Sequence, residues 1–300
     1  MMTLNGGRMS EIKLGDLEVR FEIHGAGIPI VFTPGGFSSL DQARPLAQAL
    51  AGIGYKVLLW DRPNTGGSSL AFDRDDMLQL WADTLHALLE HTNHKCFVAG
   101  GSAGSLTSLR LAHARPEGIR GLIVIAPPND APQMWQGLAA ETFLKRAAIA
   151  EEHGMAAALE AAGSVWDFFD WPDQFTRAPH KRQQLLSMNP HGFAARMRAW
   201  ANFTMMGEHP ERAGLSVAQL GTIKIPTIIF SGLDEVHPQH TAEALHARLP
   251  QSTLVISSQH YAQELPQILR DMQEKGPQYF DVALVGRIDE FVQGTLGSQP

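Results

Sequence analysis

The five residues Gly100-Gly101-Ser102-Ala103-Gly104 place one hydroxyl between glycines two positions away on either side. They follow the apolar run KCFVA and open AGSLTSLRLAHAR, a segment with helical patterning. A strand-to-helix turn of the form G-x-S-x-G holds its serine in strained backbone geometry with Oγ exposed, because side chains two positions away would crowd the turn. N–H groups at the start of the following helix face the negative charge that develops when such a serine attacks a carbonyl. A serine hydroxyl is a poor nucleophile at neutral pH unless a base lies within hydrogen-bond reach and a carboxylate orients that base. An ordinary glycine-rich β–α turn is the competing reading of the same five residues.

The surrounding elements must supply that turn and its partners. From about Glu11 to Pro128, short apolar runs (PIVFTPG, YKVLLWD, KCFVAGG, GLIVIAPP) alternate with helical patterns. Continuous apolar runs of this length suit strands buried on both faces, as in a parallel sheet covered by helices. Met77, Trp81, Leu85 and Leu88 or Leu89 share one helical face within Asp75–His91, and the pattern from Ala103 to Arg115 is closed by Pro116. From about Asn129 to Leu220 strand signals vanish and helical patterns take over, with four of the six tryptophans (Trp135, Trp166, Trp171, Trp200). Strand signals return in IPTIIFSGLDEVHP and STLVISSQH, with a helix expected over Thr241–Leu249 between them. The expected architecture is α/β: a mostly parallel central sheet flanked by helices, with core segments 1–128 and 221–300 and a helical lid inserted over 129–220. The last forty residues exceed what one closing helix requires, and the surplus has no assignment from sequence.

Composition narrows the class. A chain of 300 residues can bury a core that needs neither disulfide nor structural metal, and the single cysteine, Cys96, lies in an apolar run that suits an inert, buried thiol. The balance of 24 basic and 31 acidic residues, net −7, argues against nucleic acid or an anionic membrane as partner. The opening MMTLNGGRMS has no apolar core of the kind a signal peptide needs, and no run reaches about 18 apolar residues, so the expectation is a cytoplasmic protein acting on a small molecule. A homodimer is compatible with everything above.

Several segments together resemble the α/β-hydrolase superfamily. HGAGIPIVFTPGGFSS, starting at His24, resembles that family's strand and oxyanion loop; DRPNTGGSS resembles its Asp-x-x-Gly-x-Gly-x-Ser turn; GGSAGS resembles its nucleophile elbow; FSGLDEVHP and ISSQH resemble the strand ends that carry its acid and its histidine. The surroundings of the elbow are most similar to proline iminopeptidase-like and meta-cleavage-product hydrolases with helical caps. Pro34 stands where the family's oxyanion loop usually has histidine, and Asn64 replaces the first glycine of the turn, a position where asparagine tolerates left-handed backbone.

The resemblance implies a triad of Ser102, Asp234 and His260, in the family order of nucleophile, acid and base. Glu235 and Asp130 are the competing acids, and His237 is expected at the surface or the pocket rim. The oxyanion donors would be the backbone N–H groups of Ala103 and Gly36, with Phe37 as fallback for Gly36. Ser105 is expected to be a helix residue only. His91/His94 and His237/His240 have ligand-like spacing but no clustered third ligand, so neither metal nor cofactor is expected. Aromatic residues of the lid (Trp135, Phe143, Trp166, Phe168, Phe169, Trp171, Phe175, Phe193, Trp200, Phe203) are expected mostly in the core, with a few facing the pocket and favouring an apolar or aromatic substrate. Glu141, Glu151, Glu152 and Glu160 are available to hold a substrate amine, though amphipathic helices more simply present them to solvent. The leading reading is hydrolysis of a small ester, or of a C–C bond beside a ketone, through an acyl-enzyme. A proline iminopeptidase-like aminopeptidase and a small-ligand binding protein on the same fold are the alternatives, and other acyl-transfer chemistry stays open because fold does not dictate reaction.

Overall fold

The computed structural model describes residues 8–36, 38–92, 95–129, 131–161, 179–206, 214–276 and 279–298. Phe37, His94, Asp130, Trp166, Phe168, Phe169, Trp171 and Phe175 lie outside the described residues, as does the side chain of Phe203.

Eight strands form one sheet in the order β1-β2-β4-β3-β5-β6-β7-β8. The apolar runs are its centre: β3 (Ile28–Thr33), β4 (Tyr55–Trp60), β5 (Cys96–Gly101), β6 (Ile119–Ile125) and β7 (Thr227–Phe230), with β8 (Ser252–Val255) at one edge. These six run parallel, and all of β5 is buried, as a strand covered on both faces must be. At the edge, β1 (Arg8–Leu14) and β2 (Leu17–Gly25) pair antiparallel with each other, and β2 pairs antiparallel with β4.

Two apolar layers sandwich the sheet. On one face α2 (Met77–Thr92) and α3 (Ala103–Ala114) pack with the helices that connect β6 to β7. Those connecting helices are α4 (Pro132–Ala139), a π-turn at Ala140–Leu144, α5 (Lys145–Glu160), α6 (Pro179–Leu186), α7 (Pro190–Met206) and α8 (Val217–Leu220). Phe143, Phe193 and Trp200 are fully buried among these helices, and Phe72 of the core stacks against both Phe193 and Trp200. The helices are tied to the segment after the 61–69 turn: the Trp200 indole N–H donates to Arg74 O at 2.7 Å, and Arg196 pairs with Asp75.

On the other face lie α1 (Leu40–Gly52) and the C-terminal helices α11 (Leu265–Lys275), α12 (Tyr279–Ala283) and α13 (Val285–Gly297). The forty-residue surplus is thereby explained. Phe280, Leu284, Ile288 and Val292 are buried against the sheet, and Phe291 meets Phe97 of β5 edge-on at 6.1 Å. Between β7 and β8 lies α9 (Gln239–His246), and the short α10 (Ser257–His260) follows β8.

Asp61, at the end of β4, is fully buried and joins three segments. Its carboxylate accepts the Leu40 N–H (2.6 Å) at the start of α1, the Gly67 N–H (2.7 Å) and Arg20 Nη1 (3.2 Å). Gly66 has φ +44, and a Cβ there would overlap the Asp61 carboxylate at 2.1 Å, so the turn closes only without a side chain. Asn64 adopts φ 71, and its amide exchanges two hydrogen bonds with the Ala71 backbone (3.0 and 2.8 Å). Asp61→Ala strands two backbone N–H groups and takes one of three carboxylates from Arg20, which keeps Glu22 and Asp41, with an expected loss of about 3–5 kcal/mol in urea unfolding.

Asp281, on α12, is half-buried with its carboxylate 3.8 Å from the position a Cβ on Gly101 would take. Burial pushes its carboxyl up to about 7. Between the ordinary carboxylate range and about 7, the unfolded chain has lost this proton while the folded chain keeps it, so stability falls as pH rises through that window. Asp281→Asn removes that dependence. The stability of the variant relative to the natural chain should rise from pH 4 to about 7 and then level off in urea titrations.

Candidate active site

The turn from β5 into α3 has the strain that its glycines suggested. Ser102 sits at φ 49, ψ −122, outside the comfortable regions for a residue with a side chain, and its N–H donates to Ile125 O at 2.9 Å. A Cβ on Gly100 would lie 2.3 Å from the Gly104 carbonyl, and one on Gly104 would lie 2.1 Å from Thr33 O. Gly101 has no such constraint: its nearest neighbour would be Phe32 at 3.6 Å. Ala103 opens α3, so its N–H is among those a helix leaves without an internal acceptor. Across from it, a Cβ on Gly35 would come within 2.9 Å of Ser102 Cβ, and Gly36 follows at φ 51.

Ser102 Oγ lies 2.8 Å from His237 Nε2, and His237 Nδ1 lies 2.9 Å from Asp234 Oδ1 and 3.2 Å from Oδ2. A carboxylate only accepts, so Nδ1 carries the proton and Nε2 is left to accept the serine hydroxyl proton. Asp234 Oδ1 also accepts the N–H groups of Val236 (2.9 Å) and His237 (2.8 Å), which closes the turn on itself. Gly232 permits this closure, since a Cβ there would lie 2.3 Å from His237 Cβ. Burial opposes the charge on Asp234, but the His237 ring bond, the charge of that ring and the two backbone N–H groups outweigh it and hold the carboxyl below its usual range.

His237, expected at the surface or pocket rim, instead meets Ser102 Oγ through Nε2, and its side chain is only 20% exposed. His260 is not brought to Ser102. Strand β8 ends at Val255, and Ser257 then bonds Ser231 O through its hydroxyl (2.6 Å) and Ser231 Oγ through its N–H (2.9 Å), starting the short turn of α10. That turn leaves His260 exposed, its ring edge-on to Tyr261 at 4.6 Å, with no hydrogen bond to Ser102 or Asp234 among the described residues. Asp234 is at the site, while the exposed Glu235 meets Asn129 only through its backbone carbonyl. The sequence signal for His237 was present: an acid and a histidine three residues apart, between Gly232 and Pro238, just past a parallel strand.

A family model described as the alpha/beta hydrolase fold matches residues 28–266. The chain belongs to the α/β-hydrolase family. Its kinship supports a hydrolase at this coarse level. Over 235 residues it is 26% identical to a proline iminopeptidase of Lactobacillus acidophilus, an alignment covering 73% of this chain and 78% of that one. A shorter match, 32% identical over 111 residues, links it to a protein of Azorhizobium caulinodans with the provisional name carbamate hydrolase RutD; it covers 37% of this chain and 42% of the relative. Among solved structures, an α/β-hydrolase enzyme from a Medee basin deep-sea metagenome library aligns with TM-score 0.59 at 18% identity, over 97% of this chain and 98% of that one. No helix among the described residues is long and apolar enough to cross a membrane.

Because the Gly104 position faces backbone and not a movable side chain, Gly104→Ala should cost about 3 kcal/mol in urea unfolding, the upper end for overpacking. Gly101→Ala, where space exists, should unfold within about 1 kcal/mol of the natural chain under the same conditions.

Proposed function

We propose that this hydrolase is a serine hydrolase working through an acyl-enzyme, with Ser102 as nucleophile, His237 as general base and Asp234 as the carboxylate that orients it. The observation that carries the reading is the continuous chain Ser102 Oγ–His237 Nε2–His237 Nδ1–Asp234 Oδ1, at 2.8 and 2.9 Å. Ser102 attacks an acyl carbon while His237 takes its proton; the imidazolium, held by Asp234, returns the proton to the leaving group, and a water activated the same way releases the acid. The N–H groups of Ala103 and Gly36 would receive the developing oxyanion. The helices between β6 and β7 act as a lid over this centre.

The proposed substrate is a small apolar or aromatic ester, or a C–C bond beside a ketone. The full burial of Phe143, Phe193 and Trp200 limits the lid aromatics available to contact it, while Trp135 is half-buried with its N–H on Asn129 O at 2.7 Å. The similarity to a proline iminopeptidase over most of the chain favours a second reading, cleavage of an N-terminal proline.

Short acyl nitrophenyl esters assayed beside prolyl arylamides separate the two, with ester turnover expected to dominate. Ser102→Ala should abolish labelling by a fluorophosphonate. His237→Gln should lower kcat by about four orders of magnitude, while His260→Gln changes it by less than about threefold. The opposite pattern in the two histidine variants would assign the base to His260.

A further inference from the structure

Arg62 is fully buried, although the turn around it already has an internal carboxylate in Asp61. The Asp61 oxygens accept from Leu40 N–H, Gly67 N–H and Arg20, and among the described residues none of them hydrogen-bonds the Arg62 guanidinium, although the nearby carboxylate charge favours the cation. Arg62 Nη2 donates to Ser38 O (3.2 Å) and, more weakly, to Gly35 O (3.4 Å). The guanidinium carbon lies 4.4 Å from the centre of the Trp81 ring, and that indole is held by its own bond to Pro63 O at 3.1 Å. Nε and Nη1 are buried and have no acceptor among the described residues. A buried cation with two idle donors is costly, and a residue that served only to fill this space would more cheaply be apolar.

The two carbonyls it holds bracket the loop that touches the serine. Gly35 O and Gly36 N–H belong to one peptide unit, and no peptide bond among the described residues is cis, so the two groups point in opposite directions. Ser38 N–H also donates to Gly35 O (3.1 Å), so Arg62 adds a charged donor to a carbonyl that the turn already holds, while two glycines put little side-chain bulk in the way of rotation. Drawing Gly35 O toward Arg62 turns Gly36 N–H the other way and polarises it. We propose that Arg62 is a positioning residue of the serine site: it helps lock the Gly35–Gly36 peptide so that the Gly36 N–H faces the oxyanion, and its positive charge backs that donor. Burial draws the guanidinium pKa down to about 9, which leaves it charged at neutral pH.

This inference rests on the serine-hydrolase reading, and its test separates the two. Natural chain, Arg62→Met and Arg62→Lys are compared for nitrophenyl ester kinetics, for inhibition by an aryl trifluoromethyl ketone, whose adduct with Ser102 places an oxyanion at the donor, and for thermal unfolding. The expected result is a fall in kcat of about 10²-fold for Arg62→Met with KM within about threefold, the size typical of losing one oxyanion donor. Ketone affinity should weaken by a similar factor, and Arg62→Lys should recover part of both. If Arg62→Met does not fold, the Lys variant carries the comparison through its ketone affinity. Folded variants with kcat and ketone affinity within about threefold of the natural chain overturn the role of Arg62, as does a rise in KM at unchanged kcat. A natural chain that neither turns over esters nor takes a fluorophosphonate on Ser102 overturns the serine-hydrolase reading and this inference with it.

Discussion

Everything near the candidate site depends on how closely the backbone around Ser102 is packed. The Gly100 and Gly104 positions meet backbone at 2.3 and 2.1 Å of an added Cβ, and Gly35 meets Ser102 itself at 2.9 Å. Three backbone segments therefore converge on one hydroxyl with no side chains between them: the end of β5, the start of α3 and the loop after β3. The energetic penalty of φ 49 at Ser102 persists because β5 is held by β3 and β6 on either side and is buried throughout. Sheet order thus supplies the rigidity that a strained serine needs.

A second knot, the 61–69 turn, ties that centre to the rest of the molecule. Asp61 binds the start of α1, Arg62 holds the carbonyls of Gly35 and Ser38, and Lys181 of α6 reaches Gly66 O at 2.9 Å from the helices between β6 and β7. The core, the loop beside Ser102 and the helical insertion thereby share one hydrogen-bonded junction. A polar junction of this kind is stable only when nearly every group is satisfied, which makes the two idle donors of Arg62 stand out.

Acid and histidine come from a single turn, Asp234 to His237, in place of two strand ends. One carboxylate oxygen closes the turn through two backbone N–H groups and orients the ring as well. Linking the two groups over three residues fixes their geometry locally, so only the Ser102–His237 distance depends on long-range packing. Asp234 is 46% exposed, and its low pKa owes more to these bonds than to any buried pairing.

Features whose cause lies within a few residues were legible in the amino-acid order. Unbroken apolar runs marked β3 to β7 because a strand covered on both faces has no polar side, whereas the edge strand β8 keeps Thr253 exposed. G-x-S-x-G marked the elbow because crowding there admits no side chain, and Asn64 signalled a left-handed turn position that it occupies at φ 71. Asp234 was legible as the acid candidate from its place after β7. Tertiary structure decided what distance in space decides. The first two strands run antiparallel to each other because a two-residue turn joins them, β2 closes the open edge of β4, and the C-terminal surplus is helical because one face of the sheet needed covering. It also decided which histidine meets the serine: ending β8 at Val255 and coiling the next four residues turns His260 outward, while the closed Asp234 turn carries His237 inward. No short-range pattern encodes where a strand stops relative to a serine more than a hundred residues away in the chain.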